Sequence, residues 1–182
     1  MKTVDKYIFQ ALDNYPYWLE GTIESLDYAL SYNEKDTTAL CLYGRVQSEQ
    51  LQDYEEAKRY FQEALAINLY AVAVYPYYLD ALLLNEDYEE ASKLIDFALT
   101  IKGTDKVAIR LKKVMLLEKQ QEVKMALKHL KEIRLLIASQ DSLYDIEQIE
   151  KRLKAKKQLL APKAKTKAKK GTDEKEKKKK KK

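Results

Sequence analysis

Asp53-Tyr54-Glu55-Glu56-Ala57 returns 34 residues later as Asp87-Tyr88-Glu89-Glu90-Ala91, and each copy opens a helical run that ends in Ala-Leu, at Ala64-Leu65 and Ala98-Leu99. An internal repeat of this length marks stacked supersecondary units, because one helical hairpin cannot bury its own apolar face. Outward from the pentapeptide the register persists. Ala57, Ala91 and Ala126 are spaced by 34 and 35 residues, and Ala29, Ala64, Ala98 and Ile133 by 35, 34 and 35. Two series in step over four units mark points of close helix approach, where a larger side chain would clash.

Apolar spacing fills in the units. Helices are expected from Val4 to Asn14, stopped by Pro16, and from Tyr17 to Tyr32. Asp36 or Thr37 is a cap for Thr38 to Leu51, which pairs with Tyr54 to Ile67. Val74 to Asn85, with Pro76 in its first turn, pairs with Tyr88 to Ile101, closed by Gly103. Lys106 to Lys119 pairs with Val123 to Ile137. Leu143, Ile146, Ile149 and Leu153 then form one apolar stripe on a charged helix from about Ser142, which suits a solvating cap. Four Gly and three Pro in 182 residues favour helices over a turn-rich sheet fold.

This pattern resembles the tetratricopeptide repeat (TPR). Leu40, Tyr43 and Gly44 stand in the first helix of a unit and Ala57, Phe61 and Ala64 in its second; one unit later come Tyr75, Tyr78 and Leu79, then Ala91, Ile95 and Ala98. There are departures. Leu79 replaces the usual small residue, Leu69 stands where Pro often closes the second helix, Thr22 takes the Ala position of the first unit, and one extra residue lies between Gly44 and Asp53. The resemblance implies an all-α protein: an α-solenoid over residues 1–158, with units at about 4–35, 38–70, 72–103 and 106–138 and a capping helix at about 142–158. It implies a right-handed superhelix whose first helices line a concave groove for a peptide or helix of another protein. Some relatives grip a terminal carboxylate there with Lys and Asn; here Arg45 is the lone basic residue on the first helices of units two and three, and Asp80 stands at the matching height, so that clamp is not written.

Chemistry of other kinds is hard to assemble. His129 is the only histidine and reads as a half-exposed surface residue; Cys41, the only cysteine, lies in the apolar run 39–43 and reads as a small buried thiol. Gly21, Gly44, Gly103 and Gly171 are isolated, so no phosphate loop can be drawn. Paired carboxylates such as Glu55-Glu56 recur with the repeat at helix starts, where they favour the helix dipole rather than acid–base work. Neither a catalytic set, a cofactor site nor a metal site is expected, and the chain is taken as a non-enzyme.

Thirteen of the 14 tyrosines fall between Tyr7 and Tyr88, and the run Tyr70, Tyr75, Tyr77 and Tyr78 exceeds what the repeat needs. Tyrosine gives large contact area at low entropy cost. The candidate partner contacts are therefore Arg45, Tyr70, Tyr75, Tyr77 and Asp80, against the alternative that these tyrosines pack between helices, as is common in this family.

Charge is graded along the chain. Residues 1–100 carry 7 basic and 18 acidic residues, 101–160 carry 15 and 8, and 161–182 carry 12 lysines and 3 acids. The stretch 161–182 has no large apolar side chain and is expected to be disordered, and the disordered tail is drawn from residue 159 to 182. Its lysines Lys163, Lys165, Lys167, Lys169, Lys170, Lys177, Lys178, Lys179, Lys180, Lys181 and Lys182 are electrostatic contacts in search of a partner. Three roles stay open for it: a solubilising tail, non-specific contact with nucleic acid or the ribosome, and attraction to an anionic membrane or acidic protein. For the whole chain, a partner-binding adaptor stands first, an RNA- or ribosome-associated factor acting through the basic rear second, and a self-assembling subunit third. No stretch has the roughly 18 uncharged apolar residues of a membrane helix, and a cytoplasmic location is expected.

Overall fold

The computed structural model describes residues 3–137 and 140–160, which form nine α-helices and no strand. They are α1 (Thr3–Asn14), α2 (Leu19–Tyr32), α3 (Thr37–Arg45), α4 (Tyr54–Ile67), α5 (Val74–Leu84), α6 (Tyr88–Ala98), α7 (Lys106–Lys119), α8 (Val123–Arg134) and α9 (Gln140–Leu160). Each helix packs on the next, and α3 also touches α1 and α5, while α5 also touches α7. Helices α1, α3, α5 and α7 thus share a side. No helix of the described residues is long and apolar enough to cross a membrane.

The alanine register is the packing register. Ala29, Ala57, Ala64, Ala91, Ala98 and Ala126 have no exposed surface, and Ile133 has almost none. Thr22, in the alanine position of the first pair, is also fully buried; its hydroxyl donates to the Trp18 carbonyl one turn back at 2.9 Å, so no polar group is stranded. Helix starts are fixed by carboxylates: Asp36 accepts from Thr38 and Ala39, Asp53 from Glu56, and Asp105 from Val107 and Ala108.

Two features were not foreseen. The extra residue between Gly44 and Asp53 is absorbed by a π-helical turn, Val46–Leu51, so the expected continuous helix from Thr38 to Leu51 is an α-helix to Arg45 followed by this wider turn. Second, Gln52, Glu86 and Gln121 all have positive φ, between 57° and 64°. They recur at 34 and 35 residues, two positions before α4, α6 and α8, where the chain leaves the preceding helix through a left-handed residue. The helix α6 ends at Ala98 rather than Ile101, with Leu99 as its cap, so Gly103, at φ 95°, lies five residues past the helix in the turn before α7 and does not close it.

The rear of the fold is closed by α9. Ile146 and Leu153 insert fully into the cluster of Val114, Ala126, Leu130 and Ile133, each burial contributing about 1.5–3 kcal/mol. Arg152 and Lys156 meet Glu118 of α7 at 2.7 and 2.6 Å, and Arg134 of α8 meets Glu147 at 3.0 Å. This helix runs two residues beyond the expected end, so Leu159 and Leu160 are helical and not tail. Ala138 and the lysine-rich stretch 161–182, with all its tail lysines, lie outside the described residues.

Candidate binding groove

A cleft of about 340 Å³ opens where α1, α3 and the start of α5 meet, lined by Leu12, Thr38, Cys41, Arg45, Val72 and Tyr77 among others. Leu12 comes from the exposed side of α1. Thr38, Cys41 and Arg45 share one face of α3 by their spacing of three and four residues. Val72 belongs to the short link before α5, and Tyr77 to the first turn of α5. The Cys41 thiol is buried, and that burial pushes its pKa up to about 11, which leaves a weakly nucleophilic wall rather than a reactive group.

Arg45 organises the cleft. Its guanidinium carbon lies 4.2 Å from the Tyr77 ring centroid and 4.7 Å from that of Tyr15, and its Nε donates to Glu49 Oε1 at 3.1 Å. The Tyr15 hydroxyl donates to the other oxygen of Glu49. Burial works against the Arg45 charge, but the Glu49 hydrogen bond and carboxylate outweigh it, and the pKa is raised. Tyr15 is pushed up to about 12, first by burial and then by Glu49. Arg45 is therefore permanently charged and held by two rings and one carboxylate. Among the described residues its two terminal nitrogens have no hydrogen-bond partner.

Tyr77 and Arg45, both expected as contacts, are thus brought together. Asp80 is one turn further along α5 and is taken up by Lys112 of α7, whose ammonium lies 2.6 and 2.7 Å from its two oxygens. Tyr70 is largely exposed but does not line the cleft; its neighbours Ala71 and Val72 do. Tyr75 must be withdrawn as a contact. Its side chain has no exposed surface, its hydroxyl donates to the Leu69 carbonyl at 2.8 Å, and its ring packs towards Phe97.

Most other tyrosines pack between helices. Tyr7 stacks on Tyr28 and Tyr32, and Tyr43 stacks on Tyr60 with centroids 4.6 Å apart. Tyr78 leans on Phe61, while its hydroxyl donates to Glu90 and accepts from Gln62. Tyr15 and Glu49 were missed because nothing local links positions 34 residues apart; the extra residue beside Glu49 was the one visible signal. No protein-family model and no curated protein matches this chain.

Proposed function

We propose that the chain is a non-enzymatic scaffold of the TPR kind, an α-solenoid of four helix pairs closed by α9, which docks a segment of another protein along the side formed by α1, α3, α5 and α7. The observation that carries this reading is Arg45, charged, oriented by Tyr15 and Tyr77, and open to an apolar cleft. A guanidinium held in one orientation loses little entropy on binding, and desolvation by the cleft strengthens its hydrogen bonds. The complementary ligand is a peptide or helix that places an acidic side chain beside an aliphatic one. Support also comes from the repeat itself, since stacked helix pairs create an extended side surface suited to such ligands. The lysine-rich tail adds attraction without selecting the segment, and the cytoplasm suits a chain with a single buried thiol.

Affinity purification with nuclease treatment tests the groove. Arg45→Ala and Tyr77→Ala are expected to lose one common set of proteins that the parent and a Tyr17→Ala control retain, with unchanged far-UV circular dichroism. Retention of that set by Arg45→Ala would remove the groove from the function.

A further inference from the structure

A second cleft, of about 730 Å³, lies between α8 and α9, away from the Arg45 groove. Lys124, Lys128 and Lys131 of α8 and Lys154 and Lys157 of α9 line it, with Glu150 the only carboxylate on its wall among the described residues. Glu150 is already neutralised, by Lys154 at 2.6 Å and by Arg134 at 3.4 Å. Lys124, Lys128, Lys131 and Lys157 have no carboxylate within ion-pair distance among the described residues. From this arrangement we propose that the cleft is a docking surface for the phosphate backbone of a nucleic-acid strand, bound without base discrimination.

Three observations favour phosphate. First, Lys124, Lys128 and Lys131 recur at four and three residues, so they form one row on α8. The row is about 10 Å long at 1.5 Å per residue, enough to meet about two or three successive phosphates of a strand. Second, the arginines here are spent inside the fold, Arg134 on Glu147 and Glu150 and Arg152 on Glu118. The open groups are all lysines, hydrated point charges that meet phosphate without imposing a fixed geometry, which suits contact independent of sequence. Third, no aromatic among the described residues lines the cleft, so contact there is to the backbone and not to stacked bases. The concave wall also follows a strand better than the flat surface of a bilayer. Leu160 ends α9 beside this cleft.

The test uses the full chain and a fluorescent oligouridylate of about 20 nucleotides, long enough to cover cleft and tail, titrated between about 50 and 200 mM salt. Replacing Lys124, Lys128 and Lys131 together by Gln should flatten the slope of log K against log salt by about 2, the release expected for three single-strand contacts. A charge-matched control replaces Lys93, Lys102 and Lys119, which are exposed and lie outside the cleft. Its slope should stay close to that of the parent, and DNA of the same length should bind the parent alike. In the unmodified chain, bound oligonucleotide should protect Lys124, Lys128, Lys131, Lys154 and Lys157 from acetylation more than Lys93 and Lys102. Equal losses in the two triple variants, uniform acetylation, or binding to phosphatidylserine vesicles in preference to the oligonucleotide would overturn the proposal.

Discussion

Lys58 and Asp87, the residue that follows the first copy of the repeated pentapeptide and the residue that opens the second, lie 2.6 Å apart. The two copies are therefore joined as well as alike. They also use their aspartates differently: Asp53 caps its own helix, whereas Asp87 is drawn to Lys58 and to Asn85. Lys58 and then Asn85 hold the Asp87 carboxyl below its usual 3.8, and burial, which alone would lower Lys58, is outweighed by its bonds to Asp87 and Glu55. The contribution of Asp87 is present above pH 3.8 and lost as the pH falls through its lowered value in the fold; that of Lys58 is complete below pH 10.5 and lost as the pH rises through its raised one. Lys58→Met should cost about 1 kcal/mol near neutrality, since the pair is partly screened by water. In urea melts across pH, the gap between parent and variant should close at both extremes; a constant gap would deny the pair its role.

Gly44 and Phe61 should couple. A Cβ at Gly44 would stand 2.6 Å from the Phe61 ring, which is fully buried and cannot step aside. Gly44→Ala is expected to cost about 1–3 kcal/mol, and much less when Phe61 is already Leu. Gly21→Ala meets Trp18 at the same 2.6 Å, yet Trp18 is half exposed and free to swing, so the loss there should be under about 1 kcal/mol. Thermal melts of the four variants would separate these cases.

Glu86, at φ 64°, occupies a conformation that costs a non-glycine residue about 1–2 kcal/mol. Glu86→Gly should raise stability by about 0.5–1 kcal/mol after the extra freedom of the unfolded chain is offset. Glu86→Val should lower it. Gln52 and Gln121 occupy the equivalent exits and should respond in the same direction.

Ala91→Leu should destabilise by about 1–3 kcal/mol, because Ala91 has no exposed surface and lies at a helix approach. Ala66→Leu, on the exposed side of α4, should be near neutral. Equal melting temperatures for Ala91→Leu and the parent would break the link between register and packing.

Helices were legible wherever one face alone is apolar. In α4 the period singles out Ala57, Phe61, Ala64 and Leu65, and these are its buried residues. In α5, Val74, Tyr75, Tyr78, Leu79, Ala81, Leu82 and Leu83 are all buried, so the helix is apolar nearly all round and the sequence does not say which tyrosine faces the cleft. Tyr75 and Tyr77 were therefore indistinguishable by pattern, though only Tyr77 reaches Arg45. The left-handed exits were hidden for another reason: the expected signal is glycine, and Gln52, Glu86 and Gln121 supply none. Arg45 stood out by its charge, whereas Tyr15 and Glu49 joined it only through the folded path of the chain.

The stacking of Arg45 on both Tyr15 and Tyr77 also bears on how the molecule comes apart. Arrays whose units touch only their neighbours unravel from the ends, one unit at a time. Here one side chain of the second helix pair grips the corner after α1 and the face of α5, in the first and third pairs, and Glu118 is similarly tied across α8 to α9. Loss of the first pair must therefore uncover the guanidinium that also holds the third, which couples the front three pairs and favours their loss as a single cooperative block.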